Sequence, residues 1–317
     1  MPAEQQLAEV SDLFVVAAVL LYLFSMIGFA LELAFGHSRA DAVAAKRPVA
    51  VGGGSSDASS DVMEPASVVK AVEPPGWAPK AGWAGMVLGW VGWVANLGAI
   101  VTRGLAVDRW PWGNMYEFVV AICCAAVGAF LATQLRQNVR YLGAFVMVTA
   151  TLGLGFSVKV LYTAAGPVVP ALNSYWVAIH VTAAILSSGL FILAGVTGIL
   201  YLIRGGGVSR LPARADLERV AHRAIVFAFP VWTFAVIAGA LWADKAWGRY
   251  WGWDPKEIWA FITWVAYAAY LHARVTAGWR GRAATVVQLI AFGCLLFNLV
   301  GVNIFFSGLH SYADVSG

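Results

Sequence analysis

Apolar residues run through this chain in long blocks, separated by short stretches that hold most of its charge. A block of about 20 apolar residues is what a helix rising 1.5 Å per residue needs to cross a hydrocarbon core about 30 Å thick. Eight such blocks predict spanning helices: Leu13–Phe35, Ala84–Val101, Phe118–Leu135, Tyr141–Tyr162, Tyr175–Ile203, Ile225–Trp242, Pro255–His272 and Ala284–Phe306. The fifth is long enough to project beyond the hydrocarbon, and the seventh is marginal in hydropathy. His37 to Gly82 breaks the pattern. It carries a GGGSSDASSD tract and Pro48, Pro65, Pro74, Pro75 and Pro79 without apolar periodicity, and reads as a disordered cytoplasmic linker. The expected organisation is a first transmembrane helix in 1–36, the linker 37–82, and a seven-helix core in 83–317. No internal repeat is visible, so an inverted-repeat transporter is not indicated.

Composition fixes the solvent. Sixty per cent of the residues are hydrophobic and 12% charged, about half the usual charged fraction of a soluble domain, and mean hydropathy is +0.73. Too little polar surface exists to coat a water-facing exterior, so the class is an all-α polytopic membrane protein. With the N-terminus outside, the inner segments hold 15 of the 21 Lys and Arg residues and the outer ones 6. By the positive-inside rule both termini lie on the outer side of the cell (plasma) membrane. The net charge of +4 is thereby an orientation signal, and nucleic acid is not expected as a partner. Met1 to Asp12 contains Glu4, Glu9 and Asp12 and no basic residue, unlike a cleavable signal peptide, so the first span is read as retained. Cys123, Cys124 and Cys294 all sit in apolar runs. Neither CxxC nor CxxCH occurs, which excludes dithiol redox chemistry, a zinc ribbon and covalent haem carried by the chain itself.

Tryptophan then changes the picture. Six of the 15 tryptophans fall in Trp242–Trp264, WADKAWGRYWGWDPKEIWAFITW, at the outer end of the sixth helix and into the seventh. An interfacial aromatic belt is the ordinary account of such a cluster. Against it stand the interleaved Gly248 and Gly252, the helix start Asp254-Pro255 (Asp as N-cap, Pro at N1), and the charges of Lys256 and Glu257. An aromatic platform edged with fixed charge suits a large planar amphiphile bearing carboxylates. Haem fits that description, and a quinone fits it less well.

Two histidines flank the platform. His180, near the outer start of the fifth helix, and His310, beyond the outer end of the eighth, fall on the same side by a topology derived without them. A lone interfacial histidine is usually structural. Two around one platform are the expected axial pair of a hexacoordinate haem iron. His272, at the inner end of the seventh helix, reads equally as a ligand or as a side chain satisfying the last carbonyls. His222 reads as surface and His37 as solvated. In the outer loop RWPWGNMYEF, Asn114 and Glu117 either lock the loop or orient the ligand's carboxylates through a neighbouring Arg.

These segments resemble a known family. WGRYWGWDPKEIWAFITW resembles the tryptophan-rich WWD signature of haem-handling proteins. Together with GNMYEF, NSYWVAIHV, YLHAR and GLHSYA it is similar to the CcsA (ResC) branch of cytochrome c biogenesis proteins, over Gly82 to Ala313. The resemblance implies cytochrome c assembly: haem b, as substrate, is moved to the outer (periplasmic) face of the membrane. With a CcsB/ResB-type partner it is attached to the CxxCH cysteines of apocytochrome c, with a thiol-reducing protein as a possible further partner. It implies that His180 and His310 are the external ligands, that Trp247, Trp251, Trp253 and Asp254 belong to the external platform, and that His272 ligates haem within the membrane. In the family the partner supplies the second intramembrane histidine, and no role carries over to His222. The chain would then be one component of a haem lyase (cytochrome c synthase), in which the client's cysteines are the nucleophiles. Two other classes compete: a haem exporter without a client, and a membrane haem or quinone redox protein, which needs histidine pairs at both depths.

Overall fold

The computed structural model describes residues 3–36, 75–168, 170–172, 174–204, 210–276 and 279–310. Within them there is no strand, and eight long helices carry the fold. They are α1 (Ala3–Phe35), α2 (Ala78–Val107), α3 (Met115–Arg136), α4 (Gly143–Val160), α5 (Tyr175–Ile203), α6 (Arg214–Trp247), α7 (Pro255–Val275) and α8 (Arg282–Leu296). α8 continues through one π-helical turn, Phe297–Gly301, into Val302–Phe305. Seven of these helices are long and apolar enough to cross a membrane. α7 is not among them, in keeping with its marginal hydropathy.

Two helix boundaries differ from the sequence pattern. α2 begins at Ala78, inside the segment read as linker, with Pro79 in its first turn, where the missing N–H and fixed φ of proline are tolerated. The rest of the predicted linker, 37–74, lies outside the described residues. α6 begins at Arg214 rather than Ile225, because its first turns carry Asp216, Glu218, Arg219 and Arg223. Hydropathy marks only the apolar part of a helix that is longer than the hydrocarbon.

Small residues let the helices approach. α1 packs along α2 and α4. The buried face of α2 repeats Gly82, Gly85, Gly89, Gly92, Ala95 and Ala99 at three- and four-residue spacing, the small-residue seam expected where lipid gives helices no hydrophobic reason to associate. Ser11 and Ser25 of α1 donate across this seam to the carbonyls of Ala99 and Gly85. α5 is the central helix, buried along most of its length between α3, α6 and α8, while α7 packs on α8 and α6.

Cross-contacts show the helices running alternately up and down. Glu32 at the end of α1 pairs with Arg140 just before α4, and Glu218 near the start of α6 with Arg274 at the end of α7. At the opposite end, Asp12 meets Tyr116 and Tyr162. That end gathers the starts of α3, α5 and α7 and the ends of α2, α4, α6 and α8.

Candidate functional site

The loop between α2 and α3 is locked first. Asn114 caps α3 by accepting from the Glu117 amide at 2.9 Å. The Glu117 carboxylate takes the Arg103 Nε–H at 3.1 Å, two N–H groups of Arg109 at 3.0 and 3.2 Å, and the Gly113 amide at 2.8 Å. Arg103 also donates to the Thr163 carbonyl. With Arg103 2% and Glu117 3% exposed, this is a buried ionic knot that ties α2, α3 and the loop after α4. Of the two roles open to Asn114 and Glu117, the geometry assigns loop locking.

Beside it opens a cavity with about 1110 Å³ of empty space, counting its mouth. Trp112, Val177, Val181, Trp232, Val236 and Leu299 give it an apolar wall, and His180, Trp251, Lys256 and His310 also line it. Trp242, 3% exposed, packs against both histidines. Its ring stacks on His180 at 6.0 Å and 13° and meets His310 at 5.5 Å and 69°. Trp247 completes the cluster at 4.7 Å from Trp242 and 5.0 Å from His310.

Each imidazole is held through Nδ1. His180 Nδ1 lies 2.7 Å from the Ala235 carbonyl of α6. A carbonyl only accepts, so Nδ1 carries the proton and the lone pair is on Nε2. The ring lies this close to α6 because residue 239 is glycine: a Cβ there would stand 2.7 Å from His180 Cε1. His310 Nδ1 lies 2.9 Å from Asp254 Oδ2, which puts the lone pair of its neutral ring on Nε2 as well. Asp254 also accepts from the Leu309 amide at 2.7 Å and the Lys256 amide at 3.2 Å. It forms a reciprocal capping box with Glu257 at the start of α7. Burial alone pushes the Asp254 carboxyl up, but the bonds from His310, Leu309 and Lys256 outweigh it and hold the group below its ordinary value. The pattern is that of a metal-binding histidine oriented by a carboxylate.

The link between α6 and α7 is conformationally demanding. Gly248 ends α6 at φ +69°, and Trp253 adopts φ +57°, a region costly for a side chain with a Cβ. The Gly252 and Asp254 amides both bond to Glu257 Oε2, at 2.8 and 3.1 Å, and fix the turn on either side of Trp253. Strain of this kind is kept where neighbours over-determine it.

Comparison with known proteins fits this geometry. The family model described as cytochrome C assembly protein matches residues 112–310, which span every element of the site. The chain belongs to the cytochrome c assembly protein family. Similar relatives are the cytochrome c biogenesis proteins CcsA of Gloeobacter violaceus, 32% identical over 281 residues (69% of this chain, 83% of that one), and of Synechococcus elongatus, 31% over 290 residues (74% and 87%). That of Chlamydomonas reinhardtii is 35% identical over 224 residues, covering 67% of this chain and 64% of its own. Among solved structures, the cytochrome c haem lyase CcmF shares the fold with a TM-score of 0.60 at 15% identity, covering 92% of this chain and 46% of its own.

Within this assembly-family chain the predicted residues part company. His180, His310, Trp247, Trp251 and Asp254 come together. Trp253 is 67% exposed and packs edge-on against Trp251 outside the cavity wall. His272 is exposed on the last turn of α7. The 21 residues of that helix put about 30 Å between its ends, so His272 does not join the pair. His222 lies beside Tyr270, its Nδ1 3.4 Å from the phenol oxygen. The structure adds Trp242, Lys256 and Gly239 to the site residues that the sequence singles out. Trp242 opened the aromatic segment and was the one signal available for it. Among the described residues no cluster of three or more His, Cys, Asp or Glu groups could hold a bare metal ion, and two imidazoles on an aromatic wall suit a metal already held by its own macrocycle.

Proposed function

We propose that this cytochrome c assembly protein holds haem b, as substrate, in the cavity between α3, α5, α6, α7 and α8, with His180 and His310 as its axial ligands. The observation that carries the reading is the pair of imidazoles that line one cavity, both packed against Trp242. Each is oriented by a bond from Nδ1 to an acceptor, the arrangement in which an imidazole binds iron through Nε2. The Lys and Arg distribution favours this end as the outer, periplasmic face, with both termini on that side.

The chain's own residues then do three things. Ala235 and Asp254 fix the two imidazoles, the tryptophans present flat apolar surface to the macrocycle, and the apolar wall excludes water. Attachment is to the CxxCH cysteines of apocytochrome c, each thiol adding its sulfur and its hydrogen across one vinyl double bond. No acid or base of this chain is assigned to that addition, because positioning of the client thiols is what the site supplies. A CcsB/ResB-type membrane partner completes the haem lyase, and a thiol-reducing protein keeps the client cysteines reduced. His272, at the far end of α7, is assigned to haem uptake before transfer.

The test is the double variant His180→Ala/His310→Ala, purified from membranes. The parent protein should carry a Soret band and the double variant should lose it; undiminished absorbance in the variant would sink the assignment. Cross-linking to an apocytochrome bearing CxxCH separates assembly from simple haem export.

A further inference from the structure

Most of the cavity wall is apolar, but one side carries polar groups that the two histidines do not account for. Lys256, in the first turn of α7, lines the cavity. Its ammonium donates to the Asn298 carbonyl at 2.7 Å. That carbonyl lies in the π-helical turn of α8, where the Val302 amide bonds to Phe297 instead of to Asn298. An ammonium has three N–H donors, and among the described residues no carboxylate lies within ion-pair distance of this one. The two nearest in sequence serve other groups: Asp254 holds His310 and Leu309, and Glu257 holds the Gly252 and Asp254 amides. Among the other residues lining the cavity, Asn298 is 3% exposed, and its Oδ1, Asn303 Oδ1 and the Trp112 indole N–H have no hydrogen-bond partner.

A cation in an apolar cavity with no carboxylate within ion-pair distance is poorly compensated. Buried polar groups are normally satisfied, and the donors among these, the Lys256 ammonium and the Trp112 N–H, suit an acceptor that arrives from outside. A small hydrated anion would have to leave its water for an apolar wall. A carboxylate tethered to an apolar body gains from both parts of such a site.

We infer that Lys256 is the carboxylate-binding residue of this cavity and pairs with one propionate of the bound porphyrin. The inference rests on the haem reading above and adds to it an orientation. With the propionate edge held at Lys256, the vinyl edge is turned away from it, toward an approaching thiol. Lys256 thereby decides which edge of the macrocycle is offered to the client.

The experiment titrates the full-length protein in nanodiscs with haem and with haem dimethyl ester, whose propionates carry no charge, following the Soret band. Lys256→Gln, which removes the charge but keeps N–H donors, is titrated in parallel, with its melting temperature as the check that it folds. The ratio of haem affinity to ester affinity, wild type against variant, cancels partitioning of the two porphyrins into lipid. It should be about ten- to a hundredfold larger in wild type, the value of one charge-assisted hydrogen bond. Lys256→Arg, which keeps the charge, should preserve most of it. If both porphyrins give the bis-imidazole spectrum and the ratio is the same in wild type and Lys256→Gln, the Lys256 assignment is overturned and the haem site stands. If neither porphyrin gives that spectrum in wild type, the haem reading fails and this inference with it.

Discussion

Replacing Asp254 by asparagine tests whether the carboxylate serves the helix, the histidine, or both. In the parent structure Oδ1 accepts from the Leu309 amide, and Oδ2 accepts from His310 Nδ1 and the Lys256 amide. An asparagine has one oxygen. Whichever way its amide is turned, an NH2 group faces a donor, and at least one of the three bonds is lost. At about 1–3 kcal/mol for a polar group left without its partner, the melting temperature of the purified protein should fall by several degrees. Loss of a carboxylate that orients a metal-binding histidine costs about 10- to 100-fold in affinity, so haem titration should show a drop of that size. Added imidazole should restore the low-spin spectrum of the variant but leave its melting temperature low, which a purely structural role would not produce. The pH dependence has a definite sign. A carboxyl held below its ordinary value in the fold contributes stability above the ordinary carboxylate range and loses it as pH falls through the lowered value. Wild type should therefore lose stability on acidification, and Asp254→Asn should show a flatter profile over the same range. Wild-type haem affinity and spectrum in Asp254→Asn would refute the reasoning.

Two further substitutions separate the site from its scaffold. Gly239→Ala favours the helix by about 1 kcal/mol but puts a methyl 2.7 Å from His180 Cε1; thermal stability should be kept while haem binding collapses, and wild-type binding would show that the ring does not need this approach. Glu117→Gln leaves Arg103 buried with only Asp12, 3.9 Å away, as a compensating charge. A loss of about 3–5 kcal/mol is expected, read as a lower melting temperature and reduced protein in the membrane, and a change under 1 kcal/mol would mean the ionic knot is not what holds the loop.

What the sequence determines here is local in the chain. A spanning helix is a run of apolar residues, and the cap at Asp254-Pro255 is a matter of neighbouring residues, so both are legible without coordinates; α7 starts at Pro255 with Asp254 as its N-cap, where the pattern put them. The aromatic segment and the two histidines were legible as well, because alternation of spans sorts residues to one end or the other. Contacts between ends were not. His310 meets Asp254, 56 residues earlier in the chain, and His180 rests on Gly239 and Ala235 of the next helix. Nothing in hydropathy specifies which helices touch or at what depth. Trp242, first letter of the aromatic segment, meets His180 only through the packing of α5 on α6, and His310 only through the return of the chain after α8. Tertiary structure decided Glu117 in the same way. Its sequence reading left two roles open, and the burial of Arg103 against it closed one. The charge on Lys256 was visible as an interfacial oddity; that its ammonium meets a carbonyl in the π-helical turn of α8, 42 residues on, is a tertiary contact that no periodicity announces.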